Sequence, residues 1–293
     1  MAQFIRVLIL GSFIAGALYA RVLAAPFSAA APQETQAAVA TAPALSDSEM
    51  EAFLTTAKIL SAKDAGVGVT NSRRATLSNG EVTHDAHIQV VDEARPVFQA
   101  GAHTELNFKD TYRYNIAAFR IARLVGLSNV PMSVARRIDG KNAAITWWVD
   151  DVKMDEKERL AQKTAGPNPD RTSKQIAIMR VFDELIQNKD RNQGNILWTG
   201  DWKMWLIDHT RAFRTGNKLM NAKTLTRVER GFLERLRALD GAQVEAALKG
   251  YASSSEIKAI MQRRDAIVKH FDERVAKLGE AAVLFTEPSA PAP

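Results

Sequence analysis

The chain has 293 residues, 46% of them hydrophobic and 25% charged, the balance of one large globular domain or two small ones, which excludes wholesale disorder. It has no cysteine, so disulfides, thiolate metal sites and cysteine nucleophiles are excluded. The formal charge of +6 is too mild, without a dense Lys/Arg run, to indicate a nucleic-acid partner.

Residues 1–30 read as a targeting segment. Arg6 gives a positive start, Val7 to Ala20 is apolar apart from small residues, and Ala24, Ala25 and Ser28-Ala29-Ala30-Ala31 offer cleavage points. This is the pattern of a secretory signal, so the protein is expected to be exported to a periplasm, a secretory-pathway lumen or the outside. A membrane span needs roughly 20 apolar residues and Arg21 interrupts this run. Membrane attachment is therefore expected only through an uncleaved N-terminal anchor. Residues 31–45, rich in Ala, Pro, Thr and Gln with no apolar period, read as a flexible linker.

A first helix is predicted from near Ser46. Ser46 and Glu49 have capping-box spacing, and Met50, Phe53, Leu54, Ala57 and Leu60 recur at helical intervals. Val67–Leu77 and Glu81–Val91 then read as strands, joined by Ser78-Asn79-Gly80, a tight-hairpin signal. Val82, Ala86, Ile88 and Val90 share a face of the second. A helix follows from about Asp110 to Val125, with Asp110 as N-cap, Ile116 and Phe119 turned inward, and Arg113, Arg120 and Arg123 on a solvated face. Gly126 ends it, with Pro131 beyond. Val130–Ile138 and Ala143–Val149 form another hairpin about Asp139-Gly140.

After Asp150 the character changes. Residues 151–172 are charged and hold Pro167 and Pro169, as a connector would. Helical period returns over Ser173–Gln187 through Ile178, Phe182 and Leu185. Beyond Leu219 amphipathic helices dominate: Val228–Leu239, Ala242–Leu248 and Glu256–Leu278, with Arg263, Arg264 and Lys269 read as solvated. Residues 286–293 read as a disordered, Pro-rich tail. The expected fold class is α+β in two lobes: a small, mostly antiparallel β N-lobe with its leading helix over 46–150, and a helical C-lobe over 151–285. A cleft between two lobes is a common ligand site.

The chemistry concentrates between Asn188 and Asp208. Asp190-Arg191-Asn192-Gln193-Gly194 is a polar loop, and Asn195–Trp198 and Trp202–Ile207 are short apolar strands about a turn. In such a hairpin the first residue of one strand lies beside the last of the other, so Asn195 and Asp208 are expected to be neighbours, with Asp190 on the loop feeding the same corner. Two oxygen-bearing side chains suit Mg²⁺ or Mn²⁺, which completes its shell with water and substrate phosphates. A third carboxylate nearby could orient a hydroxyl for attack on a γ-phosphate. The Asp190-to-Asn195 interval equals that of the kinase catalytic loop. Coming after Trp205-Leu206-Ile207, Asp208 is expected to be partly buried, and a buried carboxylate needs a partner.

Asp190-Arg-Asn-Gln-Gly-Asn195 with Ile207-Asp208-His-Thr-Arg-Ala-Phe213 resembles the atypical kinases: the secretory-pathway kinases of the four-jointed and Golgi casein kinase type, and phosphoinositide-kinase-like proteins. Tyr114 to Pro131 is similar to their N-lobe helix and following strand, and Trp147-Trp148 to the strand entering their interlobe hinge. The resemblance implies a nucleotide such as ATP, Mg or Mn held by Asn195 and Asp208, Asp190 as catalytic base, and a protein or glycan as acceptor. His209, Thr210 and Arg211 accompany the motif without an assigned role.

There are departures. Kinases carry a strand Lys that grips phosphates and a helix Glu that pairs with it. Here Gln89 stands about where the Lys belongs and Asn115 about where the Glu belongs. Lys109 or Arg73 are candidates to substitute, and Gly66-Val67-Gly68 is a weak stand-in for a glycine-rich loop. The altered pair leaves open a pseudokinase that binds a nucleotide or scaffolds without turnover, and more distantly a structural envelope protein. His84 and His87, three apart on a strand, point to opposite faces and are not expected to form a metal pair. Trp198, Trp202 and Trp205 read as core or cleft wall.

Overall fold

The computed structural model describes residues 45–64, 72–101 and 103–286. The expected signal segment, the expected linker up to residue 44, Gly66-Val67-Gly68 and residues 287–293 lie outside the described residues. Helix α1 (Asp47–Thr56) is capped as expected, Ser46 and Glu49 each bonding the other's backbone amide. It stops at Ala57, and Leu60 lies instead on strand β1 (Lys58–Asp64), 56% exposed. The antiparallel ladder from β1 to β2 (Arg73–Ser78) satisfies the backbone there and overrides the helical spacing.

Strand β3 (Thr83–Gln89) follows β2 through Asn79-Gly80, where Gly80 takes φ +95° and the Asn79 Oδ1 accepts from the amides of Glu81 and Val82. Strands β6 (Ser133–Ile138) and β7 (Lys141–Trp147) form the second expected hairpin. Together they make an antiparallel sheet in the order β1-β2-β3-β7-β6. Its inner face closes on α1 through Phe53, Leu54, Leu77, Ile88, Met132 and Ile145.

Between β3 and the next helix lies a hairpin with no counterpart in the sequence reading, β4 (Asp92–Ala100) and β5 (His103–Thr111). Its apolar residues Val97 and Leu106 pair across the strands but stay exposed, so it lacks the alternation that marks a half-buried strand. Because the ladder runs on to Thr111, paired with Asp92, helix α2 begins only at Arg113 (Arg113–Leu124) and has no side-chain cap. Asp110 is a strand residue, not an N-cap.

Helix α2 touches the sheet but buries Ala117, Ala118, Ile121 and Ala122 in the larger C-terminal core. Its arginines are less solvated than expected. Arg120 bonds the Ala247 carbonyl and lies over Tyr251, and Arg123 bonds Asp47 and the Leu127 carbonyl.

The expected connector also holds structure: β8 (Val152–Asp155) and α3 (Glu156–Ala161). Helix α4 (Pro169–Ile186) starts four residues before Ser173, because Asn168 caps it and Pro169 sits in its first turn, where a missing amide costs nothing. Strands β9 (Ile196–Thr199) and β10 (Met204–Leu206) join β8 in a small antiparallel sheet. Trp198 is buried there and donates to the buried Glu156–Arg159 pair.

The helices α5 (Arg230–Ala238), α6 (Gly241–Leu248) and α7 (Ser254–Leu278) complete the core, with a parallel pair β11 (Val228–Glu229) and β12 (Leu284–Phe285) flanking α8 (Glu280–Val283). Arg263 of α7, read as solvated, is fully buried and donates to the carbonyls of Leu185, Arg214 and Gly216. Those acceptors sit at an α4 end and in a loop, where no helix or sheet bond satisfies them. Among the described residues, no helix is long and apolar enough to cross a membrane.

Candidate active site

Helix α4 ends in a left-handed Gln187, φ 49°, and the chain turns into the Asp190 loop. Arg191 organises that loop from within. Its guanidinium pairs with Asp183 and donates to the carbonyls of Asn195 (2.9 Å) and Ile207 (2.8 Å), so one buried side chain fastens both ends of the β9–β10 hairpin. Another Arg191 nitrogen lies 2.8 Å from His209 Nε2. His209 is buried, and burial, then Arg191, pushes its pKa well below the ordinary value. The ring is neutral and accepts from the arginine.

The hairpin brings the expected residues to one corner. The Ile207 amide donates to the Asn195 carbonyl at 3.1 Å, which leaves Asp208 one residue beyond that pairing. The Asn195 amide group is 3.4 Å from the Asp190 carbonyl. Asp208 is exposed rather than partly buried. It adopts φ 50°, a conformation that Asp tolerates better than most residues, and so leaves the strand instead of continuing into the core. Its Oδ1 accepts from the amide and hydroxyl of Thr210.

The β-rich part contributes groups that sequence reasoning missed. Asp110, one step from the end of β5, feels the charges of Asp208 and Asp190. Burial first, then those two acids, pushes its carboxyl above the usual range against the pull of Thr210 and Arg211, and its Oδ1 is buried without a hydrogen-bond partner. Asp190 is raised likewise, by burial and by Asp208 and Glu105, with Arg211 opposing. His87 on β3 also faces Asp208, and burial outweighs that attraction and lowers its pKa. No local signal marked Asp110, because its position before a helical pattern made capping the simpler reading.

Other candidates go elsewhere. Lys109 pairs with Glu256 of α7, beside a hollow of about 380 Å³ lined also by Asp92 and Tyr251; on a strand it points away from its neighbour Asp110. Arg73 pairs with Asp139. Gln89 is buried, its Oε1 accepting from the amides of Val90 and Val91. The Asn115 Oδ1 accepts from the His209 amide at 2.7 Å, so this residue holds the backbone next to Asp208. His84 stacks on Trp147 and reaches Asp150, apart from His87.

Among the described residues no three His, Asp or Glu side chains converge closely enough to cage a metal ion. The residues nevertheless fit a hard cation of the Mg²⁺ or Mn²⁺ kind, which needs only one or two protein oxygens. The exposed Asp208 and the unpartnered oxygen of Asp110, with Asp190 close enough to feel both charges, offer carboxylate oxygens to such an ion.

No family model matches the chain, and no curated protein matches it by sequence. Solved structures do. The hydra Fam20 with sugar superposes with TM-score 0.62 at 14% identity, over 82% of this chain and 92% of that one. The Golgi casein kinase with Mn/ADP bound gives 0.61 at 14% identity, over 83% and 80%. The fold is that of the Golgi casein kinase. The expected α+β architecture, a β-rich N-terminal part before a helical C-terminal part, and the resemblance to secretory kinases are borne out at the level of the fold.

Proposed function

We propose that the protein is an exported kinase-like phosphotransferase, moving the terminal phosphoryl group of a nucleotide to a hydroxyl of a protein or glycan. The observation that carries this reading is the acid corner. On a Golgi casein kinase fold, one hairpin brings Asn195 beside Asp208, and Asp190 and Asp110 lie within range of the Asp208 charge. The neighbours with sugar and with Mn/ADP favour a nucleotide, a divalent ion and a secretory setting, as does the start of the chain.

In this reading Asn195 and Asp208 hold Mg²⁺ or Mn²⁺, which when bound would neutralise phosphate oxygens. Asp190, raised above an ordinary carboxylate, is a correspondingly better base when ionised. It takes the acceptor's hydroxyl proton as that oxygen bonds to the γ-phosphorus. The bond from γ-phosphorus to the bridging oxygen breaks, and the nucleoside diphosphate leaves. Asp190→Ala should abolish transfer from labelled ATP, and Asp208→Ala should abolish metal-dependent nucleotide binding. Two variants indistinguishable from the parent would refute the assignment.

A second reading, nucleotide binding without turnover, is favoured by one observation. Strand β3 carries no lysine, and Asn115 is spent on the His209 amide. Thermal stabilisation by ATP and Mn²⁺ with no phosphate transfer to any acceptor would select it.

A further inference from the structure

Of the cations near the acid corner, most are committed. Arg191 serves Asp183, two carbonyls and His209. Arg214 pairs with Glu105 and donates to the Asn107 carbonyl. Lys109 belongs to Glu256. Arg214, whose Nε also lacks a partner, is buried with its side chain 8% exposed, whereas the Arg211 side chain is 29% exposed and reaches toward Asp190. One terminal nitrogen is 2.5 Å from Glu105, the other is only loosely engaged with Asp190 at 3.8 Å, and its Nε is buried without a hydrogen-bond partner. The guanidinium lies over the Phe108 ring, 5.1 Å from its centroid, so it is partly desolvated and its charge is poorly screened.

Arg211 is three residues beyond Asp208 and reaches toward Asp190, and its charge lowers the pKa of both Asp190 and Asp110. Any phosphoryl group passing from a metal held at Asp208 to a hydroxyl deprotonated by Asp190 must cross the space between them. A guanidinium whose second terminal nitrogen is only loosely engaged is well suited to oxygens of that geometry. We infer that Arg211 supplies the cation that β3 lacks, contacting the terminal phosphate of the bound nucleotide. The inference rests on the phosphotransfer reading and adds to it a residue and a specificity, for triphosphate over diphosphate.

Titration calorimetry on the full chain with Mn²⁺ tests this, comparing a non-hydrolysable ATP analogue with ADP. The proteins are the parent, Arg211→Met, Arg211→Lys, Glu105→Gln and Asp208→Ala. Arg211→Met should lose about tenfold in affinity for the triphosphate, the worth of a charge-assisted hydrogen bond, and nothing for ADP, while Arg211→Lys recovers part of the loss. Glu105→Gln, which weakens the tie to the β4–β5 hairpin but keeps the arginine, should retain the triphosphate preference. Equal losses for both nucleotides, or the same loss in Glu105→Gln, would reduce Arg211 to a structural tether and overturn the inference. If Asp208→Ala destroys binding while Arg211→Met changes neither affinity, the phosphotransfer reading stands and the inference alone falls. If the parent binds neither nucleotide, both fall.

Discussion

Replacing Arg263 by methionine tests how far one buried cation fixes the segment that follows the acid corner. The side chain is fully buried and donates to three carbonyls, those of Leu185, Arg214 and Gly216, at 2.9, 2.9 and 2.5 Å. Each acceptor left without a donor costs about 1–3 kcal/mol, so the three together cost about 3–9 kcal/mol. The cation's own desolvation acts in the opposite sense. Burial pushes its pKa down to about 10 from 12.5, with Glu184 opposing, and at about 1.4 kcal/mol per pH unit removing the charge returns about 3 kcal/mol. The balance at mid-range is a loss of about 3 kcal/mol, which for a domain of this size lowers Tm by about 6–12 °C. Urea titration and thermal melts of parent and variant measure it. A loss below about 1 kcal/mol, or a gain of the kind known when buried ion clusters give way to well-packed apolar groups, would show that desolvation dominates and refute the reasoning.

Asn115→Ala strips the His209 amide of its acceptor and should cost about 1–3 kcal/mol. It should also weaken stabilisation by ATP and Mn²⁺, because Asp208 is the next residue; an unchanged thermal shift on ligand addition would contradict this. Glu256 is held below its usual pKa: burial opposes ionisation, but Lys109, Tyr114 and the Ser253 amide outweigh it. A carboxylate depressed in the fold stabilises above its unfolded pKa and loses that contribution as pH falls through its folded value. Between neutral pH and pH about 3, Glu256→Gln should therefore lose less stability than the parent. Parallel urea midpoints across that range would disprove it.

Much of the corner was legible because it is local. A hairpin's register follows from its turn and apolar strands, so the proximity of Asn195 and Asp208 could be read from fourteen residues of sequence. The capping box of α1 and the Asn79-Gly80 turn were legible for the same reason. The misses at Asp110, Asn115 and Arg263 are non-local. Asp110 reaches the site because a hairpin with exposed apolar residues extends its strand past the expected cap. Asn115 looks like a weakened glutamate until its bond to a backbone amide 94 residues away is seen. Arg263 shares an arginine pair with Arg264 and looks solvated, since its three acceptors lie 47 to 78 residues distant.

Helix α2 sinks Ala117, Ala118, Ile121 and Ala122 into the C-terminal core, and this restricts how the molecule can open. A helix that swings in and out, as regulated kinases use, would here expose those four side chains and strip Asn115 from His209. Any breathing motion must therefore leave α2 in place and move the five-stranded sheet or the β4–β5 hairpin across it. Helix α2 is therefore a fixed strut between the sheet and the helical core, and the parts free to shift against it are strands.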